Sequence, residues 1–308
     1  MRDQVLAGLI VLVIYFASQS EFFLSLRNVA NLFAQGAGIV IIAMGLVFVL
    51  LLGEIDLAAG TASGVCASIM ALHLVRNGNM LGGMGSSTTF YVFCALLVVA
   101  AGLALYLRIW PGVVMSLVAL GITLSGATAN PWLEMLLALS VGTAIGCITG
   151  YLVAKIGMPS FVVTLALFIT WQGVILKLIG QGGTLPISQD KVLNGVANSN
   201  LTVLGSWIFF VIIVGGYAAV ALGQHFRRLN RGLVTQPTPL VLAKVLALAV
   251  LGAVGTYLMT INRGAGSLEI VGIPYVVPIV LGLMIIGGYT LNRTRYGRHI
   301  YAVGGNAE

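Results

Sequence analysis

The sequence contains little charge. Of its 308 residues only 7% are Asp, Glu, Lys or Arg, whereas 59% are hydrophobic. An ordinary soluble domain carries about 25% charged residues. This chain has too little polar surface to form a water-soluble globule, and the composition therefore excludes a soluble enzyme. The formal net charge of +7 is spread between apolar runs and does not indicate nucleic-acid binding. The composition predicts a protein that crosses a membrane many times.

Motifs for covalent, metal or nucleotide chemistry are also missing. The three cysteines (Cys66, Cys94 and Cys147) lie in apolar segments without metal-ligand spacing, so we expect them to pack as small side chains. The three histidines are far apart in sequence and form no acid–base or metal constellation. No G-x-x-x-x-G-K-[ST] motif occurs, which excludes ATP binding through that loop. We expect no catalytic residue, metal or cofactor in this chain.

Ten apolar runs are near the length needed to cross the hydrocarbon core as helices. They are residues 5–19, 37–53, 57–75, 90–107, 112–128, 132–154, 161–179, 202–222, 239–259 and 275–292. Helices are required because lipid offers no partner to an unpaired backbone group. We expect an all-α fold, a polytopic transmembrane helical bundle of about ten spans forming a single domain over residues 1–308. The first run resembles a signal peptide, but Asp3 and a poor cleavage site favour an uncleaved helix.

The basic residues predict the orientation of the chain in the membrane. With the N-terminus inside, ten of the 15 Lys and Arg residues fall on the cytoplasmic side, including the clusters within residues 227–231 and 293–298. This predicts a multi-pass membrane protein with both ends in the cytoplasm. The count depends on two crossings within residues 37–75.

Glu54 and Asp56 interrupt the second apolar region. One helix over its roughly 40 residues would measure about 60 Å, twice the hydrocarbon thickness, so the chain must turn or break near residues 53–60. In one interpretation the chain turns at the membrane surface and Asp56 caps the next helix. In the other, a discontinuous helix lies inside the protein and the two carboxylates line a path for a polar substrate. The residues alone leave both interpretations open.

Four stretches resemble, in order and spacing, the motifs of bacterial ABC-type monosaccharide importer permeases of the ribose/xylose branch. They are F-L-S-L-R-N-V-A-N-L (23–32), G-L-V-F-V-L followed by E-I-D-L and a glycine (45–60), K-I-G-M-P-S-F-V-V-T-L (155–165) and a run ending in Y-A-V-G-G-N (292–306). Two extra runs within residues 202–259 are similar to the xylose-type permease. Ala58 stands where the family has Ser. The family continues into further spans beyond Glu308, so we expect this chain to be C-terminally truncated.

The resemblance implies a permease subunit that imports a monosaccharide, such as the pentose xylose, and does not itself hydrolyse ATP. It implies two permease copies in the bilayer, an ABC ATPase on the cytoplasmic side and an extracytoplasmic sugar-binding protein, with no nucleic acid. The residues that it implies for the translocation path are Glu54, Asp56, Gly60, Phe161 and Thr164. Those that it implies for ATPase coupling are Arg295, Arg298, Gly304, Gly305, Asn306 and Glu308.

An ion-coupled secondary transporter is the alternative, in which Glu54 or Asp56 carries a proton or a sodium ion. Such a transporter needs no ATPase partner. Glu134 lies shortly after Pro131 and Trp132, in a predicted first helical turn. A carboxylate there interacts favourably with the helix dipole, and we assign it no further role.

Overall fold

The computed structural model describes residues 2–180, 183–188, 190–264 and 269–305. These residues form thirteen α-helices and no strand, so the all-α prediction is confirmed. The helices are α1 (Arg2–Gln19), α2 (Leu26–Leu50), α3 (Ala59–Val75), α4 (Met80–Gly83), α5 (Ser87–Tyr106), α6 (Trp110–Ser125), α7 (Pro131–Ala154), α8 (Ser160–Ile179), α9 (Lys191–Asn198), α10 (Val203–Leu229), α11 (Thr238–Thr260), α12 (Val276–Arg293) and α13 (Arg295–Gly305).

The predicted count of ten membrane spans is not confirmed. Among the described residues, seven helices are long and apolar enough to cross a membrane, namely α2, α5, α7, α8, α10, α11 and α12. The other three predicted spans correspond to α1, α3 and α6, which are apolar but shorter. Helices of 17 and 16 residues, such as α3 and α6, reach only about 24–26 Å, against about 30 Å for the hydrocarbon core.

The helices form two compact units, of which one comprises Ile41–Asn194 and the chain from Ile286 on. In this unit α7 packs against α3, α5, α6 and α8, and α3 also packs against α8. The core contains Ile69 and Leu72 of α3, Leu97 of α5 and Leu137 of α7. A Cβ on Gly112 of α6 would lie 2.6 Å from Sγ of the buried Cys147, so close packing of small residues holds α6 against α7.

The other unit comprises the chain up to Val40 and Gly195–Ile285. Its α10 and α11 pack against each other as an antiparallel pair. The buried residues of this unit include polar side chains, among them Ser206, His225, Thr256 and Arg263. His225 and Thr238 join the last turns of α10 to the beginning of α11 through a 3.0 Å hydrogen bond between Nε2 and Oγ1.

Side-chain caps set where several helices begin. The Asn130 side chain accepts a hydrogen bond from the Trp132 N–H, and Pro131 occupies the first helical position of α7. The side chains of Ser86 and Thr202 accept the N–H groups of Thr89 and Gly205 in the same way. Each cap satisfies a backbone donor that a helix start leaves without an intrahelical acceptor.

The loop after α3 is fixed to the loop that precedes α7. The Ala129 N–H donates to the Asn77 side chain at 3.0 Å. Gly78 has φ of +86° and is buried against the Ala127 carbonyl, which a Cβ on this residue would overlap. These contacts hold the end of α3 beside the beginning of α7.

We expect Gly78→Ala to lower thermal stability because the new methyl group meets both a left-handed backbone and the Ala127 carbonyl. Gly85→Ala is the matched control, since Gly85 also has positive φ (+75°) but no atom within 4 Å of the position that a methyl group would take. The loss for Gly78→Ala should exceed that for Gly85→Ala by about 1–3 kcal/mol. Unfolding midpoints in detergent measure both, and equal losses would show that the loop contact contributes nothing.

Candidate functional site

The interruption of the second apolar region lies at residues 51–58, between α2 and α3. The end of α2 is closed by backbone bonds from Gly53 N–H to the Leu50 carbonyl and from Glu54 N–H to the Val49 carbonyl, at 3.0 and 3.3 Å. Gly53 has φ of +83°, a conformation that glycine adopts without steric cost. The chain therefore leaves the helix at Gly53, and Glu54 follows in non-helical backbone.

Asp56 organises the approach to α3 without being its N-cap residue. Its Oδ1 accepts a 2.8 Å hydrogen bond from the Ala58 N–H, and Ala58 is the residue at the N-cap. A carboxylate just before a helix start is stabilised by the helix dipole. Both Glu54 and Asp56 remain partly exposed, so each carboxylate has free accepting capacity.

Two hydroxyl groups of α8 hold the backbone of Ile55 from both sides. The Ile55 N–H donates to Ser160 Oγ at 3.1 Å, and Thr164 Oγ1 lies 3.2 Å from the Ile55 carbonyl oxygen. The same Thr164 hydroxyl also approaches the Ser160 carbonyl, at 2.8 Å. Thr164 is only 2% exposed. The non-helical segment is thus anchored to the first turn of α8 by paired polar groups.

A cavity of about 880 Å³ opens beside this segment. Its walls come from residues 49–58, one face of α3, α7, the start of α8 and Val303 of α13. On α7 the wall consists largely of small residues spaced four apart: Ala138, Gly142, Gly146, Gly150 and Ala154. Helical residues four apart lie on one face, so this stripe leaves the space open.

The polar groups of the cavity are few and mostly neutral. They are Glu54, Asp56, Ser63, Thr149, Ser160 and Thr164, and no Lys or Arg of the described chain lines it. Carboxylates and hydroxyls accept and donate hydrogen bonds, whereas the apolar remainder suits the faces of a sugar ring. This arrangement fits a neutral, hydroxyl-bearing solute better than an anion.

The cavity includes three of the five residues predicted for the path, namely Glu54, Asp56 and Thr164. Gly60 and Phe161 are exposed and do not line it. Sequence reasoning missed the hydroxyls of Ser63 and Thr149. Ser160 had a signal, since it stands inside the P-S-F motif.

The residues predicted for ATPase coupling belong to α13. Arg295, Arg298 and Gly305 are exposed, whereas Gly304 is partly buried. The face of α13 formed by Gly297, Ile300 and Gly304 packs inward, and a Cβ on Gly304 would overlap the Leu51 carbonyl oxygen. The helix therefore touches the interrupted segment directly. Asn306 and Glu308 lie outside the described residues.

A second polar pair, which the sequence analysis did not predict, lies between α3 and α7. His73 Nδ1 and Glu134 Oε1 are 2.7 Å apart, and both side chains are fully buried. Glu134 therefore has a side-chain partner in addition to the helix dipole. We had expected the histidines to form no acid–base arrangement, but His73 is paired with Glu134. His73 Nε2 and Glu134 Oε2 have no partner among the described residues. No cluster of three or more His, Cys, Asp or Glu in the described chain could hold a metal.

We expect each single substitution, His73→Leu or Glu134→Leu, to destabilise the protein because it leaves a buried polar group unpaired, typically at a cost of about 3–5 kcal/mol. The double substitution should cost less than the sum, since an apolar pair of similar volume needs no partner. Glu21→Leu, at an exposed carboxylate, is the control. Unfolding midpoints provide the double-mutant cycle, and strict additivity would contradict the pairing.

Gly304→Ala should destabilise the contact between α13 and the interrupted segment by about 1–3 kcal/mol, because a rigid backbone carbonyl occupies the space of the new methyl group. Gly305→Ala is its neighbour control, with nothing within 4 Å. Unfolding midpoints of the two variants should differ. If Gly304→Ala behaved like Gly305→Ala, the close contact with Leu51 would be unsupported.

Known proteins share the sequence pattern of this chain. A family model described as branched-chain amino acid transport system / permease component matches residues 28–308. The chain is 27% identical to the xylose transport system permease protein XylH of Haemophilus influenzae over 98% of its own length and 65% of that protein. It is 26% identical to XylH of Escherichia coli over 98% of this chain and 62% of the relative.

A shorter likeness extends to the fructose import permease protein FruF of Bifidobacterium longum, 34% identical over 131 residues, or 36% of each chain. The chain thus spans less than two thirds of the length of the XylH proteins that it matches. No solved structure matches the chain.

Proposed function

We infer the function from one premise: the chain belongs to the family of membrane permease components described as the branched-chain amino acid transport system type. This family consists of transport subunits with several membrane-spanning helices, and the resemblance drawn from the motifs is confirmed. We propose that the chain forms the solute pathway of an ATP-binding cassette importer in the bacterial inner membrane. The proposed cargo is a monosaccharide, with a pentose such as xylose as the first candidate.

The observation that carries this proposal is the cavity of about 880 Å³ beside the interrupted helix. Its hydroxyls and two partly exposed carboxylates offer hydrogen bonds to a neutral polyol, while its apolar wall leaves room for the ring. A xylopyranose is small enough for such a volume. Two of the relatives are a xylose permease and a fructose permease, which supports a sugar as the cargo.

The pathway residues that we propose are Glu54, Asp56 and Thr164. Gly60 and Phe161, which lie within four residues of them in sequence, belong to the same proposal. Phe161 is half exposed beside the Ser160–Thr164 anchor, where it would contact lipid or a second protein copy. A homodimer would enclose the cavity from its open side. We therefore propose a second copy of the chain as its partner.

We further propose that an ABC ATPase docks on α13 from the cytoplasm and that an extracytoplasmic binding protein delivers the sugar. Arg295 and Arg298 are the exposed cations of α13, and Gly305, Asn306 and Glu308 follow them in sequence. The packing of Gly304 on Leu51 supports a mechanical link from the docked ATPase to the interrupted segment. ATP binding would bias the cavity toward one side by differential binding to two states. This scheme requires α13 to face the cytoplasm, and we propose that both ends of the chain lie on that side.

Reconstitution in proteoliposomes with the partner ATPase and binding protein tests the proposal. We expect uptake of labelled pentose to require enclosed ATP and binding protein and to be unaffected by ionophores. Uptake that collapses with the ion gradient and ignores ATP would instead support the ion-coupled alternative, with Glu54 or Asp56 as the coupling site.

The Glu54→Gln/Asp56→Asn double variant defines the role of the carboxylates. Asn at position 56 can still accept the Ala58 N–H, so the turn should persist. Replacing charged by neutral acceptors should reduce ATP-driven uptake by up to about tenfold without introducing gradient dependence. Undiminished uptake by a stable double variant would remove both carboxylates from the proposed path.

A further inference from the structure

Arg263 is a buried cation in the segment that joins α11 to α12. Its side chain is only 6% exposed. Nη2 donates to the Gly272 carbonyl oxygen at 2.8 Å, and Nη1 donates to the Met259 carbonyl oxygen. The Nε–H is buried and has no acceptor among the described residues. The guanidinium therefore retains unused donor capacity in a desolvated environment.

No described carboxylate compensates the charge of Arg263. The ion pair that the described residues contain is the His73–Glu134 pair, and Arg263 takes no part in it. Burial lowers the pKa of the Arg263 guanidinium. An arginine stays protonated in proteins even so, and an uncompensated buried charge is costly. The site thus favours an anion that would neutralise the charge.

Arg263 lines a small cavity together with a second arginine. The cavity measures about 110 Å³, and its polar lining consists of Arg27, Asn31, Asn198, Asn200 and Arg263. No Asp or Glu of the described chain contributes to it. Arg27 and Asn31 come from the first two turns of α2 and lie on one face of it, four residues apart. Two arginines therefore line a cavity whose described walls hold no negative charge.

The cavity lies where membrane-crossing helices start and stop. The helix α2 begins at Leu26, α11 ends at Thr260 and α12 begins at Val276, and all three are long and apolar enough to cross a membrane. Arg27, Arg263 and Pro274 stand within a few residues of these ends. The ends of spans lie at the level of lipid headgroups, where phosphodiester groups are abundant.

We propose that Arg27 and Arg263 form a phosphate-binding site, with Asn31 and Asn200 as further donors. Guanidinium groups bind phosphate oxygens with two parallel hydrogen bonds, and the volume suits a single phosphate group rather than a larger ligand. The source of the phosphate is a phospholipid headgroup or the free ion. A structural role of Arg263 in closing its own loop accounts for the two carbonyl contacts but leaves Arg27 and the Nε–H unexplained.

Native mass spectrometry of the delipidated full chain in neutral detergent tests the site. We expect wild-type protein to bind one molecule of added phosphatidylglycerol, and Arg27→Gln to weaken this binding by about tenfold through the loss of a charge-assisted contact. Arg27 is exposed, so its substitution should not unfold the protein. Arg76→Gln, at an exposed arginine that lines no part of this cavity, is the matched control and should leave the binding within about twofold. Arg263→Gln should behave like Arg27→Gln, but Arg27→Gln carries the test if that variant fails to fold.

A second arm distinguishes the two sources. Inorganic phosphate and acetate are titrated in separate experiments, each against chloride at equal ionic strength, with the unfolding midpoint as readout. Phosphate that raises the midpoint and displaces the lipid supports the site with the free ion as its ligand, and lipid retention that phosphate does not affect supports the headgroup. Equal losses for Arg27→Gln and Arg76→Gln, or no binding of either probe, would overturn the proposal. Stabilisation by acetate but not phosphate, dependent on Arg27, would overturn it in favour of a carboxylate from a protein partner.

Discussion

The backbone at residues 51–58 must find hydrogen-bond partners outside a helix, and the candidate site depends on how it does so. In an apolar protein an unpaired N–H or carbonyl group is costly, so non-helical backbone persists only where other groups satisfy it. The Ile55 N–H donates a hydrogen bond to the Ser160 hydroxyl, and the Thr164 hydroxyl donates one to the Ile55 carbonyl oxygen. The Asp56 side chain satisfies a further donor, the N–H of Ala58. The non-helical segment is therefore held by hydrogen bonds to the start of α8, and a displacement of the segment would break them.

The sequence could locate this interruption because helix length alone requires it. A helix through the whole second apolar region would be twice as long as the hydrocarbon core is thick, so the chain had to leave the helix near residues 53–60. The structure has the interruption at residues 51–58. The number of spans could not be fixed in the same way. Hydropathy marks apolar runs, but α3 and α6 have only 17 and 16 residues and fall short of a full crossing.

Contacts between distant residues could not be read from the sequence. His73 and Glu134 are 61 positions apart, and their pairing follows from the packing of α3 on α7. The local explanation of Glu134, a carboxylate in a first helical turn, was sufficient by itself and gave no reason to seek a partner. Nothing in the sequence around Arg263 indicates that its guanidinium is buried.

The residues predicted for the translocation path show why some residues of a motif line the cavity and others do not. Ser160 and Thr164 are four residues apart and share one helical face, whereas Phe161 is turned about 100° from Ser160. The motif is contiguous in sequence, but a cavity contacts one face of the helix. Gly60 stands in the same relation to Ala59, which lines the cavity.

The few charges of the chain divide by environment, and this division bears on the candidate site. The fully buried His73 and Glu134 are committed to each other, and the buried Arg263 to two carbonyl groups. Glu54 and Asp56 instead remain partly exposed toward the cavity, with only one of the oxygens of Asp56 engaged by a local N–H. A charge that water can reach needs no internal counter-ion. These two carboxylates therefore need no internal counter-ion and, under the proposed function, can accept hydrogen bonds from a solute.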